Sequence, residues 1–136
     1  MKYLLDTNIC IRILNKSSQS VVNRLEETDL DDIAIPAVVA AELMYGAQKS
    51  VRRDRNVEMF RTFIRQFMVV GLDADAIEAY GEIRSELERK GTPIGANDYF
   101  IAAISRSTSR ILVTNNIREF SRVEGLVVED WTMSVA

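Results

Sequence analysis

Short apolar runs alternate with segments of helical periodicity along almost the whole chain, and few folds accept that order. The runs are residues 2–6 (KYLLD), 33–36 (IAIP), 68–72 (MVVGL), 111–114 (ILVT) and 126–130 (LVVED). Each is short, branched and bounded by polar or turn residues, which predicts a strand. Between them, 9–14 and 20–27 predict two short helices broken at Lys16-Ser17-Ser18, and Pro36 suits the turn into a helix over 37–48. A loop over 49–56 leads to a helix over 55–67, with Val57, Phe60, Phe63, Ile64 and Phe67 on one stripe. Asp73 caps a helix that turns Ala76, Ile77, Tyr80, Ile83 and Leu87 inward and ends at Lys90-Gly91. After a loop over 91–97, residues 98–107 form a mostly apolar helix. Strand–helix alternation of this kind predicts an α/β sandwich whose sheet is parallel.

The totals narrow what such a sandwich can do. With 136 residues, a single domain over 1–136 is expected. A net charge of −3 excludes a bulk basic attraction to nucleic acid and leaves only local patches. Cys10 is the one cysteine, so no internal disulfide forms and a reducing cytoplasm is the simple reading. No apolar run approaches the ~18 residues of a membrane span. There is no histidine, which removes the commonest general base, the Ser-His triads and most zinc sites. Catalysis has to rest on carboxylates, hydroxyls, lysine, tyrosine, the lone cysteine or a bound metal.

Three carboxylates stand where apolar residues are expected. Asp6 closes the first strand, and in open parallel sheets ligands bind beyond the carboxyl ends of the strands. It also suits the cap of the next helix, with Thr7 and Asn8 beside it. Glu42 shares a helical stripe with Val38, Val39, Tyr45 and Gly46, where an unpaired charge is costly. Asp98 opens an apolar helix and shares a stripe with Ile101, Ala102 and Ser105; a role at the helix N-terminus is the plain alternative. A helix antiparallel to the fourth strand brings Asp98 to the sheet edge that holds Asp6. Beyond Thr114, Asn116 and Glu119 return to the same edge. Carboxylates so gathered repel one another unless a cation lies among them. Hard oxygen donors without His or Cys suit Mg²⁺ or Mn²⁺, which activates water and neutralises charge on phosphorus.

With these residues in view, "LLDTN", "IPAVVAAELMYGAQKS", "IGANDYFIAA" and "ILVTNNIREFSRVEGLVVEDW" together resemble the VapC-type toxins, PIN-domain ribonucleases of toxin–antitoxin pairs. The resemblance runs through nearly the whole chain in register. It implies a PIN-like three-layer sandwich with a parallel five-stranded sheet, and metal-dependent endonucleolytic cleavage of RNA, often tRNA. Carried over residue by residue, it implies that Asp6, Glu42, Asp98 and a fourth group after the fourth strand are catalytic and hold the metal. Many relatives carry aspartate where this chain has Asn116, so the fourth ligand is Asn116 or Glu119. Thr7, Asn8 and Thr114 match polar positions that support the acids. The resemblance further implies a VapB-like antitoxin as partner, a homodimer and a larger toxin–antitoxin complex.

Lys49, Arg52, Arg53 and Arg55 supply positive charge for RNA phosphates, although a charge run is commonly just a solvated loop. The rival readings are a PIN-fold nuclease for RNA maturation or for DNA, and a binding domain that has lost its metal. The first is disfavoured by the short single-domain length, the second by intact Asp6, Glu42 and Asp98. A phosphate-accepting receiver domain also places acids at strand ends, but no lysine follows a late strand in a suitable position.

Overall fold

The computed structural model describes residues 2–133. Five strands, β1 (Tyr3–Leu5), β2 (Ile33–Pro36), β3 (Met68–Val70), β4 (Ile111–Val113) and β5 (Val128–Glu129), form one sheet in the order β3-β2-β1-β4-β5. Every pairing is parallel: Tyr3 lies opposite both Ile33 and Ile111, Ile35 opposite Val69, and Leu112 opposite Val128. All residues of β1 and β2 are buried, as expected for strands covered on both faces. β3 differs, since as an edge strand it leaves Met68 and Val69 exposed.

Helices α1 (Thr7–Asn15), α2 (Gln19–Glu27), α3 (Ala37–Gln48), α4 (Arg53–Arg65), α5 (Ala74–Arg89), α6 (Ala96–Ser107) and the short α7 (Ile117–Phe120) flank the sheet. The expected punctuation is present. Lys16 turns left-handed at φ 52° to end α1, Ser18 caps α2, and Asp73 caps α5 by accepting the Ala76 N–H at 2.9 Å. The core joins Leu4, Leu5 and Leu112 of the central strands to Ile9, Leu43, Ile83, Ile101 and Ile104 from the helices. Trp131, fully buried beyond β5, meets the Tyr3 ring edge-on at 5.2 Å.

Three sequence expectations shift. The basic loop over 49–56 is shorter, because α4 already begins at Arg53. Ile77 points outward at 56% exposure, and Ala79 takes the inward place beside Ala76 and Ile83. One residue is about 100° of helix rotation, so Ile77 cannot share the Ala76 face. On α3 the buried stripe is Val39, Leu43 and Ala47; Glu42 lies at its border and is only half-buried.

Candidate active site

The carboxyl ends of β1 and β4 open into a small polar pocket of about 140 Å³, lined by Asp6, Thr7, Asn8, Glu42, Asp98, Ile101, Asn116 and Phe120. Each acid arrives by a different local rule. Asp6 follows β1 and caps α1, accepting the Ile9 N–H at 2.9 Å. Capping and a site position are therefore the same placement. Glu42 comes from the second turn of α3, the helix that β2 feeds through Pro36. Asp98 lies in the first turn of α6, whose cap is Gly95 rather than Asp98 itself.

After β4 the chain turns on Thr114, which is fully buried. Its backbone N–H donates to Glu129 at 3.0 Å, and its hydroxyl accepts the Asn116 N–H at 2.9 Å. The Thr114 side chain also lies against Asp6 and favours its charged form. Asn116 reaches the pocket wall and gives its amide N–H to Glu119 at 3.2 Å. Glu119 thus stands behind Asn116 rather than on the wall, although its charge is felt at Asp98.

The electrostatics are those of crowded, partly dry carboxylates. Burial raises the Asp6 pKa, and Glu42 and Asp130 raise it further, while Thr114 and the Ile9 N–H pull it back. Asp98 is pushed up to about 6, first by desolvation, then by Glu119, Asp6 and Glu42. It sits in the first turn of a helix, where the dipole favours negative charge, and burial together with the neighbouring acids still wins. Among the described residues, no group of three or more acidic or cysteine side chains is gathered closely enough to hold an ion as it stands. The donors nevertheless fit a hard divalent cation in kind: carboxylate and amide oxygens, with the buried Thr7 hydroxyl left without a protein partner.

Sequence reasoning overlooked Asp130. It follows β5 as Asp6 follows β1, and its charge reaches Asp6; the signal was the same, an apolar strand ending in a carboxylate. The proposed RNA-gripping residues do not line the pocket. Lys49, Arg52, Arg53 and Arg55 are all exposed, and Arg55 lies at a separate cavity of about 580 Å³ with Ile13, Met59 and Phe63.

Residues 3–126 match the PIN domain family. Ribonuclease VapC2 of Rickettsia felis is 42% identical over 132 residues, spanning 96% of this chain and 98% of its own. This chain belongs to the VapC ribonucleases of the PIN-domain family. The tRNA(fMet)-specific endonuclease VapC of Shigella flexneri is also 42% identical, over 97% of this chain and 99% of its own. The toxin chain in the crystal structure of DNA-bound VapBC from Salmonella typhimurium superposes with a TM-score of 0.91 at 38% identity, covering 96% of this chain and 98% of that one. PIN-domain ribonucleases depend on a divalent metal, in agreement with the donor set found here. The described residues contain no helix long and apolar enough to cross a membrane.

Proposed function

We propose that this PIN domain, acting as one unit over residues 1–136, is a toxin that cleaves RNA, in particular tRNA, with Mg²⁺ or Mn²⁺ at the Asp6–Glu42–Asp98 pocket. The observation that carries this reading is the convergence of those three acids and Asn116 on one small polar pocket from four separate parts of the chain. Asp6, Glu42 and Asp98 would hold the ion, with Asn116 offering its amide oxygen and Glu119 adding charge from behind. When bound, the ion supplies an activated water and a counter-charge for the phosphate under attack. Thr114 and the Ile9 N–H keep Asp6 aimed, and Thr7 and Asn8 line the same pocket. Lys49, Arg52, Arg53 and Arg55 lie outside the pocket, where a strand must be held if its scissile phosphate alone enters.

A VapB-like antitoxin would silence the site, since a basic side chain is the natural plug for unneutralised carboxylates. A tRNA substrate is supported by the name of the Shigella flexneri relative. Self-pairing is supported by an apolar hollow of about 260 Å³ formed by Ala37, Val38, Leu72, Phe100 and Ile104. The fold suits work in the cytoplasm, with its single thiol buried and inert.

The test is cleavage of purified tRNA in chelator, then with Mg²⁺ or Mn²⁺ restored. Cleavage is expected only after restoration; undiminished cutting in chelator would overturn the metal reading.

A further inference from the structure

One helical turn beyond Glu42, α3 carries an exposed aromatic ring. Tyr45 is 67% exposed, on a helix whose opposite stripe of Val39, Leu43 and Ala47 is buried. Three residues at about 1.5 Å rise put it roughly 4.5 Å further along the axis than the pocket acid. The Lys49 ammonium lies 4.8 Å from the ring centroid, so a cation steadies the ring and faces the same solvent. Gly46 is next to it. A glycine inside a helix is less stable than alanine, yet outside its own helix turn no atom lies within 4 Å of where its Cβ would stand. Its φ is not in the left-handed region either, since the glycines with positive φ are Gly91 and Gly125. Nothing in the fold requires Gly46; it leaves the helix surface bare beside Tyr45.

We infer that Tyr45, Gly46 and Lys49 form a base-stacking step for a single-stranded stretch of the RNA beside the acidic pocket. A base stacks on the exposed Tyr45 ring, Gly46 leaves room for its edge, and Lys49 pairs with an adjoining phosphate. The division of labour follows from charge. The pocket is acidic and repels a bare strand, so the nucleotide next to the scissile phosphate needs attraction that does not depend on the ion. An aromatic face supplies it, because every base has a π-face to offer. This inference rests on the ribonuclease reading of the neighbouring pocket.

The test separates the two. A short single-stranded oligoribonucleotide carrying 2-aminopurine is bound to the full chain in chelator, so that no strand is cut, and fluorescence quenching is followed. Tyr45→Ala is expected to abolish the quenching and to weaken binding about tenfold, Tyr45→Phe to preserve both, and Gly46→Ala to weaken binding severalfold while the melting temperature stays level or rises. In cleavage with metal present, Tyr45→Ala should raise KM far more than it lowers kcat, a split that a damaged metal site would not produce. Parental quenching and binding in Tyr45→Ala would overturn the stacking step whatever the cleavage assay shows. Unchanged RNA binding with an altered molecular mass in solution would assign the ring to a protein contact, and the inference would be wrong. Absence of cleavage by the parent with metal would instead count against the ribonuclease reading.

Discussion

Asp6 and Asp98 face one pocket from opposite ends of the chain, and the protein holds them in different ways. Asp6 is 5% exposed and fastened: one oxygen caps α1 at Ile9, and Thr114 lies against the carboxylate. Asp98 is half-buried and receives no hydrogen bond among the described residues, while burial and then three neighbouring carboxylates push its pKa up to about 6. One is a structural cap as well as a proposed ligand. The other is a proposed ligand whose charge the fold tolerates at a cost, one that a bound cation would relieve. The same residue type in the same pocket should therefore respond to substitution in opposite ways.

The largest expected effects are on cleavage. Asp98→Asn and Asp6→Asn should each lower the rate by roughly a hundredfold or more, since each removes a full charge from the ion's seat. Stability then divides them. In chelator, Asp98→Asn should melt higher, by up to ~1 kcal/mol after allowing for its partial exposure. Asp6→Ala should melt lower by about 1 kcal/mol for the lost cap, and Asp6→Asn should recover that loss because asparagine caps as well. Melting curves of the three variants without metal check this. A higher melting point for Asp6→Ala would show that repulsion outweighs the cap and would erase the distinction.

A smaller effect is expected behind the pocket. Glu119→Gln keeps an acceptor for the Asn116 amide but removes the charge felt by Asp98. Asn116→Ala removes an amide oxygen, which is only a dipole. Glu119→Gln should weaken apparent Mg²⁺ affinity by about tenfold and Asn116→Ala by less, on the ground that a full charge outweighs a dipole at similar range. Raising Mg²⁺ should rescue Glu119→Gln in part, and Asn116→Asp should be tolerated. Cleavage rate against Mg²⁺ concentration decides it; a parental curve for Glu119→Gln beside a dead Asn116→Ala would make Asn116 the fourth ligand.

How far the sequence carried depends on what each residue answers to. Strand–helix alternation, the break at Lys16-Ser17-Ser18 and the cap at Asp73 are local signals, and they placed the parallel sheet and most helix ends. The family resemblance was legible because four motifs occur in order and in register, and Asp6, Glu42 and Asp98 line one pocket. Other features depended on tertiary packing. Ile77 looked inward because helix phase is ambiguous within one residue. Arg53 and Asp54 read as loop because a run of charge gives no apolar stripe, whereas Phe60, Phe63 and Ile64 anchor that helix. Asp130 ends the run 126–130 as Asp6 ends the first, and went unused because no spacing shows that its charge reaches Asp6. The hand-off from Asn116 to Glu119 is a side-chain contact that no spacing reveals.

Acidity gives a gentler handle on the same contrast. The Asp98 carboxyl stands at about 6 in the folded chain against an ordinary 3.8, so the folded state binds more protons between those values. Its stabilising share is complete below the ordinary value and is lost as pH rises through 6. Without metal, the protein should gain stability as pH falls from 7 towards 5, by a few degrees of melting temperature, about 2–4 °C for a chain of this size. Asp6, also raised, adds in the same direction. With metal, the order reverses, because protonation of Asp98 competes with the ion. Asp98→Asn should flatten the metal-free profile. An unchanged slope in that variant would mean that Asp98 is not the group taking up the proton.

The smallest effect concerns the space that lets Asp98 turn towards the pocket. Gly95 caps α6 at φ −60° and ψ 151°, a conformation open to any residue, so backbone freedom is not why glycine is there. The reason is the Asp98 carboxylate, whose Oδ2 lies 3.0 Å from where a Cβ at position 95 would be. That is too close for comfort, and the carboxylate is the movable partner. In Gly95→Ala, Asp98 should swing by a few tenths of an ångström and the fold should otherwise hold. Alanine restricts the unfolded chain, so stability should stay level or rise by about 0.4–1 kcal/mol. Apparent Mg²⁺ affinity should fall severalfold, and Glu119→Gln added to it should lose less than the two separate losses combined, because both act through Asp98. Titration of cleavage with Mg²⁺ in the single and double variants measures this coupling. Strict additivity, or full affinity in Gly95→Ala, would mean that Asp98 binds the ion from another rotamer, and that the room beside Gly95 serves only the unloaded state.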